Sequence, residues 1–487
     1  MPDTLAPVKP AKLIINGEAV DAASGEVFQT INPATEEPVC VVAKAGPEDV
    51  DRAVKAARAA FESGPWPKMR PAERQRILWR LGDLILEHAD EIARLETLDN
   101  GKPIFESRQI DTPMVAGCFH YFSGWATKLT GETIPVNPGY FTYTLREPIG
   151  VIGAIIPWNF PMIMVGWKCA PALAAGNCVV LKPAAETPLT AVRIGELALE
   201  AGLPPGVLNI IPGPGSVAGA ALVRHPGVDK ITFTGSTEVG KQIMRECADS
   251  VKKVTLELGG KSPNIVFADA DLDAALRGAT TGIFYGKGEV CAAGSRLLVE
   301  KSVHEEFVAK LAERAKKMTP ADPMDPKTRL GALVNESQMN KVLGYVESGV
   351  REGAKLVAGG QRAPVNGKGW FVQATVLDGV NNRMRVAQEE IFGPVLAVIP
   401  FDGVDDAVAQ GNDILYGLAA GVWTRDVKKA HAVARRLQAG TVWVNMYNFY
   451  DPSMPFGGFK GSGFGRDLGA ESVRECTQVK SVWMSIE

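Results

Sequence analysis

The chain has 487 residues, of which 46% are hydrophobic and 22% are charged, the balance of an ordinary soluble globular protein of about three domains. Its formal net charge of −3 lacks the basic excess of nucleic-acid-binding proteins, so no nucleic-acid partner is expected. No uninterrupted apolar run reaches the roughly 18 residues that a membrane span needs, and the N-terminal residues have no secretory signal pattern. A membrane partner is therefore not expected either.

Seven cysteines are scattered singly along the chain, and none of them forms a CxxC pair. An odd number without short spacings predicts neither a disulfide framework nor a zinc cluster, so we expect no metal site. Free cysteines are typical of a reducing compartment, and the cytoplasm is the predicted location.

The first part of the chain combines hairpins with helices. Residues 13–40 alternate short apolar runs with turn residues, which predicts β-hairpins. A helix over 47–61 and a second helix that begins at Pro71 follow. Residues 130–148 are rich in Tyr, Phe and Thr, which predicts a projecting β-arm. The alternating tail over 478–486 is a candidate strand for the sheet edge of another subunit.

From residue 149 to 257, short apolar strands alternate regularly with amphipathic helices. That alternation predicts βαβ units and a Rossmann-like parallel sheet, which binds ligands beyond the carboxyl ends of its strands. A second α/β run follows. We therefore predict an α/β protein with a cofactor-binding domain over 1–129 and 149–259, a catalytic domain over 260–461, and an oligomerisation arm and tail over 130–148 and 462–487.

One cysteine has an unusual setting. Cys291 lies among small residues, with glycines at Gly286, Gly288 and Gly294. A thiol in such a run is approachable, whereas a structural cysteine is more often set among large apolar side chains. Inert burial is still the commoner state of a single cysteine, so a catalytic role requires partners elsewhere in the chain.

Two polar residues at strand ends are the candidate partners. Asn159 follows a predicted strand, just before a helix that begins near Pro161. Its amide can donate to a developing oxyanion, or it can simply cap the helix. Glu257 ends the apolar strand VTLEL, where burial of a carboxylate is costly. The alternative for Glu257 is a solvent-facing position on an edge strand.

Two glycine loops are candidate phosphate-binding turns. Residues 235–241, GSTEVGK, match the first part of a P-loop, but Gln242 replaces the Ser or Thr that would bind magnesium, which weighs against an NTPase. The strand–glycine–helix context favours a dinucleotide phosphate at a helix N-terminus. Residues 213–218, GPGSVA, match a GxGxxA fingerprint after a strand, although either loop is also typical of an ordinary tight turn.

Taken together, these segments resemble the aldehyde dehydrogenase superfamily. The motifs PWNFP, FTGSTEVG, LELGGKSP, GEVCAAGSR, EEIFGPV and PFGGFKGSGFGR stand in the order and at the spacing of that family. The resemblance covers nearly the whole chain. Cys291 follows Glu257 by 34 residues, which is the family's separation of nucleophile and base.

The resemblance implies a role for each matching residue. Cys291 would be the nucleophile, Glu257 the general base, and Asn159 with the Cys291 backbone N–H the oxyanion hole. Lys168 and Asp467 would be a pair behind Glu257 that relays its proton. The cofactor, NAD or NADP, would be held by Ile156, Pro157, Trp158, Lys182, Glu186, Gly215, Gly235, Ser236, Gly240, Leu258, Gln338, Glu390 and Phe392. The aldehyde would occupy a tunnel walled by Phe160, Trp167, Tyr450 and Phe456.

The chain departs from the family pattern near both ligands. Ala185 stands where many NAD-preferring members have a glutamate that binds the ribose hydroxyls, and the acid comes one residue later, at Glu186. A 2′-phosphate would meet less repulsion there, so NAD and NADP both remain open. Near the thiol, Gly286 and Lys287 replace the more usual Asn-Gln, and Glu289 replaces a frequent Gln. Lys287 is a candidate to lower the pKa of the neighbouring thiol.

The predicted function is oxidation of an aldehyde to the free carboxylic acid with NAD(P), through a thiohemiacetal and a thioester on Cys291. A CoA-acylating semialdehyde dehydrogenase is one alternative, although those relatives generally lack the base at Glu257. A non-catalytic structural member of the fold is another, against which the intact Cys291, Glu257 and Asn159 argue. The tunnel predicts an apolar or aromatic aldehyde, or a quaternary ammonium aldehyde against Trp167 and Tyr450, and the arm predicts a homodimer or homotetramer.

Overall fold

The computed structural model describes residues 7–487. Its strands, in chain order, are β1 (Leu13–Ile15), β2 (Glu18–Val20), β3 (Val27–Asn32), β4 (Glu37–Ala43), β5 (Tyr140–Pro148), β6 (Val151–Ile155), β7 (Cys178–Lys182), β8 (Leu208–Ile210), β9 (Lys230–Thr234), β10 (Lys253–Glu257), β11 (Pro263–Val266), β12 (Arg296–Glu300), β13 (Lys355–Ala358), β14 (Thr375–Asp378), β15 (Val395–Phe401), β16 (Tyr416–Gly417), β17 (Ala419–Trp423), β18 (Thr441–Val444), β19 (Phe459–Lys460), β20 (Gly463–Phe464) and β21 (Thr477–Ser485).

The α-helices are α1 (Pro47–Glu62), α2 (Pro71–Glu87), α3 (Ala89–Asn100), α4 (Ile104–Glu106), α5 (Thr112–Ser123), α6 (Pro161–Ala174), α7 (Leu189–Glu200), α8 (Ala220–Arg224), α9 (Thr237–Ala248), α10 (Leu272–Phe284), α11 (His304–Lys317), α12 (Glu336–Arg351), α13 (Arg385–Gln388), α14 (Gly403–Asn412), α15 (Val427–Arg436) and α16 (Gly469–Glu475). None of the helices in this described part of the chain is both long and apolar enough to cross a bilayer.

The two helices predicted ahead of the sheet, α1 and α2, have clear sequence causes. Each begins on a proline, whose missing N–H is not needed at the first helical position. An acidic side chain then reaches back to the N-terminus of each helix. Asp49 accepts from Gly46 N at 3.0 Å, and Glu73 accepts from Arg70 N at 3.2 Å.

The first sheet has eight strands in the order β2-β1-β8-β7-β6-β9-β10-β20. Its centre, from β8 to β10, is parallel throughout. These central strands are short apolar runs, and every residue of β6, β7, β8 and β9 is buried, as expected when helices cover both faces. The predicted Rossmann-like sheet is confirmed.

The strand order of this sheet contains a topological switch point. The chain runs from β6 outward through β7 and β8, then returns to the other side of β6 for β9 and β10. Connections therefore leave the carboxyl ends of β6 and β9 in opposite directions, which opens a crevice between them. The predicted turn at 235–241 follows β9, whereas the predicted turn at 213–218 follows β8.

A second sheet has seven strands in the order β13-β14-β15-β12-β11-β17-β18, and all neighbours are parallel except β13 and β14. The predicted second α/β unit is confirmed. The chain passes directly from β10 of the first sheet to β11 of the second through residues 258–262, so the carboxyl end of β10 lies at the junction of the two units.

The arm and the tail form a separate two-stranded ribbon. β5 and β21 pair antiparallel over their whole length, from Tyr140 opposite Ser485 to Pro148 opposite Thr477. The predicted tail strand is thus present, and within this chain it pairs with the arm. Large apolar side chains on the ribbon, including Phe141 and Trp483, are exposed. The domain boundaries given above remain a prediction.

Candidate active site

A cavity of about 360 Å³ lies at the carboxyl end of β10. Glu257 and Asp467 line it, and no Lys, Arg or His among the described residues does so. The rest of its wall is uncharged and mostly apolar or aromatic: Ile110, Met114, Phe160, Ile163, Met164, Trp167, Thr234, Leu258, Thr281, Tyr285, Val290, Cys291, Tyr447, Asn448, Phe449, Tyr450 and Phe456.

Cys291 reaches this cavity from a turn that follows α10. Three consecutive residues of the turn, Gly286, Lys287 and Gly288, have left-handed φ angles of +56°, +62° and +72°. A side chain at Gly288 would collide with the carbonyl of Gly393, so the turn requires a glycine there. Cys291 is partly exposed, whereas the other six cysteines are buried. It is therefore the accessible thiol of the chain.

The Cys291 thiol is protonated in this environment. Burial raises its pKa to about 12, and the nearby carboxylates of Glu390 and Glu257 also raise it. Backbone N–H groups at Ala292 and Cys291 act in the opposite direction. Attack on a substrate therefore requires removal of a proton from the sulfur.

Lys287 contacts groups other than the thiol. Its Nζ donates to Asn100 O at 2.7 Å and to Asn100 Oδ1 at 2.9 Å, and it lies 2.7 Å from Glu289 Oε2. The ammonium charge is thus neutralised by Glu289 beside it. The pKa of the thiol is dominated by burial and by the carboxylates of Glu390 and Glu257, and an effect of Lys287 on it stays a prediction.

Glu257 is the last residue of β10 and its side chain is buried, with 4% of the residue exposed. The alternative of a solvent-facing position is therefore wrong. Neither carboxyl oxygen has a hydrogen-bond partner among the described residues. Burial raises the pKa of Glu257 well above its usual value, and Asp467 adds to this, while Lys168 and Arg466 oppose it. A buried carboxyl with free oxygens facing a cavity has the properties of a general base.

Lys168 and Asp467 form a buried pair beside Glu257. Lys168 Nζ donates to Asp467 Oδ2 at 2.7 Å, and their side chains are 0% and 7% exposed. Phe456 fixes the position of Asp467 through two backbone hydrogen bonds of 2.7 and 2.8 Å. The two residues therefore lie in contact, and their role as a proton relay stays a prediction.

Asn159 lies in the turn between β6 and α6, close to the cysteine turn. Its Nδ2 donates to the backbone oxygen of Glu289 at 2.8 Å. The helix is preceded by Phe160 and not by Asn159, so the amide does not cap it. One N–H of the Asn159 amide is used by Glu289, and the second has no partner within the described residues.

The predicted aromatic wall is assembled as expected around the cavity. Trp167 contacts Phe456 at 5.3 Å and Tyr450 at 5.8 Å between ring centroids, and Tyr450 contacts Phe456 at 5.5 Å. Phe160 stacks on Tyr285 at 5.9 Å. These edge and stacked contacts hold the rings in fixed orientations.

Several predicted cofactor residues lie at the switch point. Ile156, Pro157 and Trp158 follow β6 directly, and Gly235 and Ser236 follow β9. Ser236 is also the N-cap of α9, because its side chain accepts from Val239 N. On the first turn of that helix, Gly240 packs against Leu258, the residue after β10, so closely that a side chain at Gly240 would displace Leu258.

Lys182, Glu186 and Gly215 lie farther along the same edge of the sheet. Lys182 ends β7, and its buried Nζ donates to Gly213 O at 3.2 Å. Burial lowers the pKa of Lys182 to about 8, which Glu186 partly offsets. Glu186 is exposed, and Gly215 is exposed with open space around it.

The second unit contributes a loop on the other side of the crevice. Glu390 accepts from Gly260 N at 2.9 Å, and burial raises its pKa to about 7. Gln338 Nε2 donates to Phe392 O at 2.6 Å and to Ile391 O at 3.2 Å, so it holds this loop. Phe392 in turn contacts the edge of Trp158, with ring centroids 5.1 Å apart.

Part of the cavity wall was not predicted from the sequence. Ile163 and Met164 lie between Phe160 and Trp167 at helical spacing, which is a signal that was available in the sequence. Ile110 and Met114, four residues apart, contribute from a different segment that carries no motif. Tyr447 fixes the cysteine turn, because its hydroxyl donates to Ala292 O at 2.9 Å.

A family model described as "Aldehyde dehydrogenase family" matches residues 19–482. The chain is 50% identical over 481 residues to human retinal dehydrogenase 2, which covers 98% of this chain and 92% of that protein. It is 49% identical over 477 residues to the mitochondrial aldehyde dehydrogenase of Rattus norvegicus, again covering 98% and 92%.

Among solved structures, the NAD⁺ complex of an aldehyde dehydrogenase from Bacillus cereus superposes with a TM-score of 0.97 at 50% identity, covering 98% of this chain and 97% of that one. Similarity of this extent reaches every element that forms the cavity and the crevice. The chain belongs to the aldehyde dehydrogenase family, and it is an NAD(P)-dependent oxidoreductase that acts on aldehydes.

Proposed function

We propose that Cys291 and Glu257 carry the oxidation of an aldehyde to a free carboxylic acid in this chain. The observation that supports this most directly is that the accessible thiol and a buried carboxyl without hydrogen-bond partners line the same cavity. A nucleophile and a base in one water-restricted space are the two groups that hydrolytic oxidation through a thioester requires.

In the first step the Cys291 sulfur attacks the aldehyde carbon. The S–C bond forms, the carbonyl π pair moves to oxygen, and the thiol proton passes to a water molecule in the cavity and from there to solvent. The free N–H of Asn159 and the backbone N–H of Cys291 are the donors for the resulting oxyanion. Donors of this kind contribute about 3–4 kcal/mol each at comparable sites.

Oxidation and hydrolysis follow on the same sulfur. A bound nicotinamide supplies the acceptor for the hydride of the tetrahedral adduct, and the chain then holds a thioester on Cys291. Glu257 takes a proton from water, whose oxygen attacks the thioester carbon. The S–C bond breaks and the carboxylic acid is released. Lys168 and Asp467 provide a route by which the proton on Glu257 moves away from the cavity.

The donor groups around the crevice fit a nicotinamide dinucleotide. The N-terminus of α9, with Gly235, Ser236 and Gly240, suits the pyrophosphate, since backbone N–H groups and the helix dipole both favour an anion. Lys182, Trp158, Glu186 and Gly215 would lie along the adenosine half. Ile156, Pro157, Leu258 and Gln338 would line the rest, with Glu390 accepting from a ribose hydroxyl and Phe392 beside it.

The cofactor end near β7 supports use of NADP as well as NAD. Ala185 has no carboxylate that would repel a 2′-phosphate, and the side chain of Glu186 is exposed to solvent. We expect Ala185→Glu to lower kcat/KM for NADP at least about tenfold, because two like charges within contact distance cost more than 1.4 kcal/mol. Activity with NAD should be kept. The comparison is steady-state kinetics with both cofactors, with Ala185→Gln as a neutral control of similar size.

The cavity supports an apolar or aromatic aldehyde as substrate. Its wall offers no cation to a substrate carboxylate, and burial of an unpaired charge costs several kcal/mol. We expect kcat/KM for apolar and aromatic aldehydes to exceed that for carboxylate-bearing aldehydes by at least about 100-fold. A screen of NAD(P)H formation over aliphatic, aromatic, carboxylate-bearing and trimethylammonium aldehydes measures this. Preference for the trimethylammonium compound would favour cation–π recognition by Trp167 and Tyr450 instead.

Two observations bear on assembly and location. The exposed apolar side chains of the β5–β21 ribbon support a homodimer or homotetramer, because an exposed ribbon of this kind is a surface that association covers. All seven cysteines are unpaired, which is typical of a reducing compartment and supports the cytoplasm.

The accessible Cys291, together with Glu257 and Asn159, argues against a structural, non-catalytic role. Glu257 also argues against transfer of the acyl group to CoA.

A further inference from the structure

Lys287 and Glu289 form a buried ion pair directly behind the cysteine turn. Lys287 Nζ lies 2.7 Å from Glu289 Oε2, and each side chain is 1% exposed. An ion pair taken out of water adds little net stability, because the loss of hydration offsets the attraction. Stabilisation of the fold is therefore a weak reason for these two charges to be buried together.

The ammonium of Lys287 determines the orientation of Asn100. It donates to Asn100 O at 2.7 Å and to Asn100 Oδ1 at 2.9 Å. Because an ammonium can only donate, the amide oxygen of Asn100 must face Lys287 and the amide nitrogen must face away. That nitrogen donates to Trp158 O at 2.7 Å and to Asn159 O at 3.4 Å. Lys287 thus holds the backbone of Asn159 through Asn100.

Glu289 holds the other end of Asn159. The Glu289 side chain is fixed by Val334 N, which donates to Oε1 at 3.0 Å, and by the ammonium of Lys287. Its backbone oxygen accepts from Asn159 Nδ2 at 2.8 Å. The contacts therefore close a ring from Lys287 through Asn100 and Asn159 to Glu289 and back to Lys287.

The backbone conformation of Lys287 is a second indication that its side chain has a function. Its φ of +62° lies in the left-handed region, which is unfavourable for a residue with a side chain. A glycine would avoid this cost, as Gly286 and Gly288 do on either side. The long side chain of Lys287 reaches Asn100 from this backbone position, which a glycine could not do.

We propose that the Lys287–Glu289 ion pair is a positioning device that aims the free N–H of Asn159 at the oxyanion formed on the substrate. The inference rests on the oxyanion role proposed for Asn159. Loss of either charge frees the Asn100 amide to turn or the Glu289 carbonyl to shift. The Asn159 donor then points away from the developing charge, so the rate of the chemical step falls while substrate binding is retained.

A double-mutant cycle between Lys287 and Asn159 tests this. We expect Lys287→Met to slow the first-turnover burst of NAD(P)H at least about tenfold, with KM for the aldehyde within about twofold of wild type. In the Asn159→Ala background the same change should slow the burst less than about twofold, since the donor is already absent. An equal loss in both backgrounds would overturn the proposal. If Asn159→Ala alone leaves the burst unchanged, the oxyanion role fails and the inference falls with it.

Glu289→Gln provides a second test should Lys287→Met not fold. It keeps an oxygen for Val334 N but leaves the Lys287 charge unpaired, so we expect a slower burst in the folded protein. Lys287→Gln combined with Glu289→Gln should be no slower than the slower of the two single variants, because both residues act through the same Asn159 donor. A combined variant that is as slow as the product of the two single losses would contradict the proposal. Circular dichroism and NAD(P)H binding normalise each rate to folded enzyme.

Discussion

Replacement of Cys291 by alanine is expected to abolish aldehyde oxidation, with kcat lowered at least about 10⁴-fold. No second thiol can take over, because the other six cysteines are buried away from the cavity wall. Without the sulfur no tetrahedral adduct forms, and the trigonal aldehyde carbon cannot release its hydrogen as hydride. Steady-state kinetics measures the loss, and a titration of NAD(P)H fluorescence shows that the cofactor crevice is intact.

Cys40→Ala is the matched control for this prediction. Cys40 is a buried thiol in β4, remote in sequence from every residue that lines the cavity. We expect this variant to keep the wild-type turnover, so that the effect of Cys291→Ala cannot be assigned to loss of any thiol. Turnover by folded Cys291→Ala within tenfold of wild type would exclude covalent catalysis at this residue.

The fold was largely predictable from the sequence because its strands are buried on both faces. Runs such as CVVLK in β7 are apolar throughout, and the amphipathic helices between them fix the parallel connection. The N-terminal limit of the arm was harder to predict, because the aromatic stretch begins at residue 130 whereas the strand begins only at Tyr140. Pairing with β21 sets that limit, and the two strands are distant in sequence.

The candidate catalytic residues could be selected from the sequence only where a motif contains them. Cys291, Glu257 and Asn159 each stand in a matching segment, and the cavity brings the first two to one wall. The partners of Lys287 were not predictable, because Asn100 lies 187 positions away and belongs to no motif. The direction of the Lys287 side chain could not be predicted either, and a cation next to a thiol in sequence lowers the pKa only if it is near in space and unpaired.

Replacement of Glu257 by glutamine is expected to separate oxidation from hydrolysis. A first burst of about one NAD(P)H per subunit should form, followed by turnover at least about 10³-fold slower than wild type, in line with the usual contribution of a general base. The thioester should then accumulate, because water is not activated. Stopped-flow absorbance records the burst, and intact-protein mass spectrometry should show the acyl group, which must be missing in Cys291→Ala.

The pH dependence distinguishes a base from a structural carboxylate at position 257. Burial raises the pKa of Glu257, so the carboxyl is protonated and inactive at low pH, and wild-type deacylation should rise as the pH increases through that raised pKa. Glu257→Gln should lose this rise, while Glu257→Asp, which keeps an ionisable group one methylene farther away, should retain it at a lower rate. Hydroxylamine, a nucleophile that needs no base, should restore turnover to Glu257→Gln by cleaving the thioester. Unchanged steady-state turnover in Glu257→Gln, or a variant that hydroxylamine does not rescue, would show that another group activates water at this cavity.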